Sequence, residues 1–205
     1  MILALFLVPA AASLLALLVR SYPGRRALLV GTAVAHAGLV AWRWLDAGRF
    51  GPVGDWLALD AAGLLVLSIA SLLFAASAVS TAATMSRTPA DDADRRRLTV
   101  LAACLPGFLA AMTLVCLSRH AGLLWVAVEA TTLVSAPLVG LHRSPRSLEA
   151  TWKYLLVCSV GIAVALLGTY FLAAAASNVD GGTVPLAFPQ LVASAGRLDP
   201  RWLKA

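Results

Sequence analysis

The feature that most limits this chain is the recurrence of long apolar stretches almost free of charge. Six such runs occupy about residues 2–20, 27–44, 60–85, 98–118, 121–141 and 152–176. Crossing a bilayer as a helix takes about 20 mostly apolar residues. Lipid offers no partner to a bare N–H or C=O, so each run must close its own backbone hydrogen bonds as an α-helix. The expected fold class is an all-α integral membrane protein, with about six transmembrane helices in one bundle over residues 1–177. Composition agrees, with 60% of the 205 residues hydrophobic and 13% charged, against about 45–50% and about 25% in soluble domains. A small water-facing domain cannot hide that much apolar surface. The lipid bilayer is the expected solvent.

The breaks between the runs carry turn and charge signals. SYPGRR at 21–26, LDAGRFGPVGDW at 45–56, SRTPADDADRRR at 86–97, Arg119–His120, and HRSPRSLEA at 142–150 read as connections. The first run has no basic segment before it and is followed by Arg20, which fits a retained helix better than a cleaved secretion signal. Arginines gather in the first, third and fifth connections (Arg20, Arg25, Arg26, Arg87, Arg95, Arg96, Arg97, Arg143, Arg146). The second and fourth hold Arg43, Arg49 and Arg119. By the positive-inside rule the odd connections face the cytoplasm of a multi-pass protein of the cell (inner) membrane, with the N-terminus outside. Arg197, Arg201 and Lys204, in a tail expected on the outer side, run against that rule. Residues 178–205 read as a loop and a short interfacial segment broken by Pro189 and Pro200, or as the lead-in to a further helix.

The net charge of +6 does not point to nucleic acid, because its arginines lie in short loops between apolar runs rather than in a basic patch with aromatics. Cys104, Cys116 and Cys158 sit inside apolar runs, odd in number and without CxxC spacing, and read as packing residues rather than a disulfide or metal framework. No P-loop, dinucleotide fingerprint, HExxH or nucleophile elbow appears. No cofactor, metal or catalytic residue is expected in this chain.

Chemistry falls to a few polar side chains inside the runs. Glu129 lies about 10 Å from one end of the fifth run and about 18–20 Å from the other, at 1.5 Å per residue. An ionisable group so placed costs at least a few kcal/mol unless paired, hydrated or protonated. Two roles fit: a proton-relay group, or a protonated acid that ties helices together. Thr131, Thr132 and Ser135 follow it and suit either a hydrated path or helix glue. Lys153, about one turn inside the sixth run, reads first as a snorkelling lysine beside Trp152 and Tyr154. Glu149 lies four residues before it, within pairing distance on one helical face. Axial depth separates Glu129 from Lys153 by about 15 Å. His142 at the end of the fifth run is a loop residue or a proton-entry group. Mid-run His36 reads as a packing histidine before a shuttle, and Asp60 as a cap at the positive end of its helix before any transport role. Pro106 and Pro137 imply kinks.

With these residues in view, the stretch WVAVEATTLVSAPLVGLHRSPRSLEATWKYLLVCSVGIAVALLGTYFL resembles the antiporter-like membrane subunits of respiratory complex I and its hydrogenase relatives. The nearest branch is hydrogenase-4 component F of the formate hydrogenlyase type. A VEATTL-type glutamate helix, a short basic loop and an LEAxWKYL-type lysine helix carry the likeness. LALDAAGLLVLSIASLLFAASAVST is similar to the family's third helix, which opens with an aspartate. The likeness spans most of 55–205 and is specific in 123–172. It implies that Glu129 and Lys153 belong to a proton path. It also implies a non-catalytic subunit among other membrane subunits of a respiratory or hydrogenase complex. Family members run to about fourteen helices built as inverted repeats, so this chain corresponds to an N-terminal half, with a separate chain as a possible source of the rest. A scaffold subunit without transport, and a small independent cation or proton antiporter, are the competing readings.

Overall fold

The computed structural model describes residues 2–46, 54, 56–87, 92–141, 144–177 and 186–203. Six long helices follow one another: α1 Ile2–Leu18, α2 Tyr22–Leu45, α3 Ala61–Arg87, α4 Asp92–Leu117, α5 Ala121–Val139 and α6 Pro145–Ala176. Two short helices, α7 Phe188–Ala193 and α8 Pro200–Leu203, flank a 3-10 turn at Ala195–Arg197. The protein is an all-α membrane bundle. Among the described residues, α2 to α6 each contain a span long and apolar enough to cross a membrane, and α1 is a shorter apolar helix of 17 residues.

Three helices start earlier than their apolar runs: α2 at Tyr22 rather than 27, α4 at Asp92 rather than 98, and α6 at Pro145 rather than 152. The cause is local backbone chemistry. Ser144 accepts a hydrogen bond from Ser147 N–H at 3.1 Å, and Pro145 follows it with a φ already suited to a first turn. Pro23 plays the same part early in α2. These first turns are polar and lie outside what hydropathy registers. Asp60 Oδ1 accepts from Gly63 N–H at 2.6 Å, which makes it the cap of α3.

Helix α4 is the hub, packed against α1, α3 and α5, while α2 lies against α3 and α1, and α6 against α5. Two apolar clusters fill the α1–α4 core. One joins Leu29, Phe74, Met85, Leu98 and Leu109; the other joins Leu5, Val40, Leu64, Leu67 and Leu117. Close approach needs small residues. A Cβ on Gly63 would sit 2.9 Å from the Cys116 carbonyl oxygen, and one on Gly107 would sit 2.9 Å from Ser13 Oγ and 3.1 Å from Val134. Ser13 also donates to the Ala103 carbonyl at 2.8 Å, tying α1 to α4. The three cysteines are free and half-buried.

At the end of the bundle where α4 stops and α5 starts, backbone bonds bind three segments. Ala58 N–H donates to Leu117 O at 2.8 Å, Arg119 N–H to Trp56 O at 2.8 Å, and Phe188 N–H to Arg119 O at 2.8 Å. The Trp56 and His120 rings stack 4.7 Å apart, and His120 Nδ1 accepts from Gly122 N–H to cap α5. The tail returns to the same end. Asp199 N–H reaches the Ala175 carbonyl of α6, and Trp202 lies 6.1 Å from Phe171, ring to ring.

Candidate functional site

Helices α5 and α6 run antiparallel, and two side-chain bonds fix how far one has slid along the other. Trp125 Nε1 donates to the Ile162 carbonyl at 2.8 Å, and Ser135 Oγ meets Tyr154 OH at 2.7 Å. In that register Glu129 lies level with Cys158 and Ser159, and Lys153 lies level with Ser135. Their axial separation is therefore about 9 Å, not the about 15 Å expected from the ends of the apolar runs. Early entry into α6 is the reason: with Pro145 as first residue, Lys153 stands more than two turns inside the helix rather than one.

Glu129 is near the middle of α5 and half-buried, and its Oε2 is a buried oxygen with no hydrogen-bond partner among the described residues. It shares a helical stripe with Trp125 and Thr132, four residues before and three after, and Trp125 on that stripe bonds α6. Thr132 is buried. Ser135, one further step of three, continues the polar series to Tyr154. Thr132 thus stands between the levels of Glu129 and Lys153, and the Ser135–Tyr154 hydroxyl pair stands at the level of Lys153. Thr131 is elsewhere: two residues from Glu129 puts it on the far side of the helix, where its hydroxyl donates to the Val128 carbonyl at 2.7 Å.

Lys153 Nζ donates to Glu149 Oε1 one turn earlier, and the pair is open, with side chains 72% and 63% exposed. His142 lies outside the described residues. Asp60 is exposed and occupied with capping. His36 is removed from all of these. It is fully buried in the α1–α4 core, with Nδ1 3.1 Å from Ser71 Oγ and Nε2 3.3 Å from Thr113 Oγ1. Neither hydroxyl stood out in the sequence, nor did Tyr154 as a partner of Ser135. Hydroxyls inside apolar runs were the available signal. Arg25 and Arg43 are also buried on the inner face of α2, and Arg43 lies 3.7 Å from Asp46.

A cleft of about 440 Å³ opens between α3, α4 and α5. Phe74, Leu105, Phe108 and Met112 form apolar walls, with Ser77 and Ser135 as polar edges. Such walls suit a lipid chain better than a file of water, since buried water requires two or more polar partners.

Comparison with known proteins gives the arrangement a context. The hydrogenase-4 component F homolog of Methylacidiphilum infernorum (isolate V4) is 40% identical over 89 residues, which cover 43% of this chain and 19% of that protein. NADH-ubiquinone oxidoreductase chain 2 of Tetraodon nigroviridis is 34% identical over 70 residues, covering 34% of this chain and 20% of that protein. These relatives, a hydrogenase-4 component and an NADH-ubiquinone oxidoreductase chain, match the complex I and hydrogenase-4 resemblance read from the sequence. The matched segments span about a fifth of the length of these curated relatives. No family model matches. The resemblance read from VEATTL and LEATWKYL therefore has independent support from these relatives.

Proposed function

We propose that this chain is a proton-translocating, antiporter-like membrane subunit, or half of one, in a hydrogenase-like or NADH:quinone-oxidoreductase-like complex. Glu129 is its central proton-holding group. The observation that carries this reading is the buried, unpartnered Oε2 of Glu129. A buried polar oxygen left without a partner is costly, so its retention inside an apolar helix calls for a role. Thr132, Ser135 and Tyr154 continue in polar steps toward Lys153, which supports a route between the two ionisable groups. Glu149 holds the Lys153 ammonium in its resting position, and His142 serves as the entry group on the cytoplasmic side. Asp60 stays a cap. The relatives, one a hydrogenase component and the other a chain of an NADH-ubiquinone oxidoreductase, support the assembly. Electron transfer in partner subunits supplies the driving force, and this chain binds no redox group.

The deciding experiment is Glu129→Gln in the assembled complex, with proton movement followed by a pH-sensitive dye in membrane vesicles and assembly by native electrophoresis. We expect proton movement to be lost and the complex to remain intact. Unchanged pumping refutes the transport role; a broken complex favours the scaffold reading instead. Orientation is tested separately. With the N-terminus outside the cell (inner) membrane, a cysteine introduced at Ser21 is labelled from the cytoplasmic face, and labelling from the outer face reverses the topology.

A further inference from the structure

The α1–α4 core holds a polar group that the Glu129 route does not use. His36 is fully buried, and the two apolar clusters close over it from either side along the helices. Leu29 and Ala33 on α2 belong to one cluster and Val40 to the other, with His36 between them. Ser71 on α3 and Thr113 on α4 take the matching places between their own clustered neighbours. Three helices thus meet at one imidazole and two hydroxyls.

The hydrogen bonds fix where the imidazole proton sits. A hydroxyl has one hydrogen to give. Thr113 gives its hydrogen to the Leu109 carbonyl at 2.7 Å. Its oxygen can therefore only accept from His36, so Nε2 carries the hydrogen. Nδ1 is then a bare acceptor in the neutral ring, and it faces Ser71 Oγ at 3.1 Å. Ser71 donates to it.

We infer that His36, Ser71 and Thr113 form a second proton-binding site, separate from Glu129, in which Nδ1 of His36 takes the proton. On uptake an N–H bond forms at Nδ1, and the ring gains one positive charge. Ser71 then turns its hydrogen away from the ring to the Leu67 carbonyl one turn back, and its oxygen accepts the new Nδ1–H. That back-bonded state is ordinary for a hydroxyl in a helix. Ser68 on the same helix already adopts it, donating to the Leu64 carbonyl at 2.7 Å. The Thr113 bond is the same before and after. Every polar atom stays satisfied in both states, with one hydroxyl rotation as the only movement.

Few charges oppose or assist the added proton. On α2 itself, Arg25 and Arg43 share the buried face, about 16 Å and about 10 Å away along the axis. Helix α1 has no titratable side chain, and α3 has none between Ala61 and Ser86, with Asp60 just before its start. Helix α4 offers Cys104 and Cys116 between Leu98 and Leu117. Among the described residues few charges face the ring, so its apolar surroundings are the main cost that the added charge must meet.

That protons held here contribute to transport rests on the Glu129 reading; that the site binds a proton does not. The test is nitrogen NMR of the full chain in lipid nanodiscs with labelled histidine, while pH is lowered. His36→Gln removes one set of ring signals and so separates it from His120 and His142. We expect a neutral ring protonated at Nε2, reversible proton uptake at Nδ1 with helicity unchanged, and a displaced uptake midpoint in Ser71→Ala. A neutral ring protonated at Nδ1 overturns the site, as does a ring that stays neutral wherever the chain remains folded. In the assembled complex, His36→Gln should then lose proton movement with Glu129 intact. If His36 binds a proton while Glu129→Gln leaves pumping untouched, the site stands and the transport reading falls. An inert ring, together with pumping lost in Glu129→Gln, removes the site and leaves the transport reading standing.

Discussion

Glu129 and Lys153 are both ionisable residues of apolar helices, but their surroundings make opposite demands. Glu129 has a buried oxygen with no partner among the described residues, whereas Lys153 is mostly open and bonded to Glu149. An exposed pair four residues apart on a helix contributes about 0.3–0.5 kcal/mol. A double-mutant cycle with Glu149→Ala and Lys153→Ala, read by thermal unfolding in detergent, should return a coupling of that size. A coupling several times larger means that the pair locks the fold and is not free to exchange protons. If the small coupling accompanies a large loss of proton movement in Lys153→Ala, the lysine conducts; if movement is unchanged, it snorkels. Glu129 was legible in the sequence because a lone carboxylate in an apolar run is conspicuous by cost alone. His36 was visible for the same reason, but its role was not. Ser71 and Thr113 lie 35 and 77 residues away in sequence, and no local pattern announces that three helices will place them against one ring.

Among the elements, the helical fold class followed from apolar runs, while several helix starts did not. Hydropathy reports the part of a helix that lipid requires; a proline or serine cap starts the helix several residues sooner in a polar segment. That difference changes chemistry, since it moves Lys153 inward and brings its level to about 9 Å from Glu129. Helix contacts were also hidden, because they depend on which small residues meet. Gly107 is the sharpest instance, with Ser13 on α1 and Val134 on α5 both against the space a side chain would need. Gly107→Leu should therefore lower stability by about 1–3 kcal/mol, the range for overfilling a packed core. Thermal unfolding of the full chain checks it. A variant as stable as the parent means that α1, α4 and α5 do not pack this closely.

At the scale of the whole molecule, burial is uneven. The best span of α4 is 44% buried inside the chain, whereas that of α6 is 6% buried, so α6, which packs along α5 and meets the short α8 near its end, leaves most of its circumference to lipid or to other subunits. Gly161 and Gly168 lie two turns apart on α6, each with open space where a side chain would stand. Lipid gains nothing from glycine there, because hydrocarbon tails pack against leucine equally well. A second helix does gain, since small residues let backbones approach closely where there is no hydrophobic drive between helices. If the chain works as a subunit, Gly161→Leu with Gly168→Leu should leave unfolding of the isolated chain unchanged, because a Cβ at either position has open space among the described residues. The same pair should reduce the amount of chain recovered in the assembled complex on native electrophoresis. Full recovery would place α6 against lipid and remove it as the joining face. A loss of stability in the isolated chain would instead mean that α6 folds back on its own bundle, and that the partner surface must be sought elsewhere.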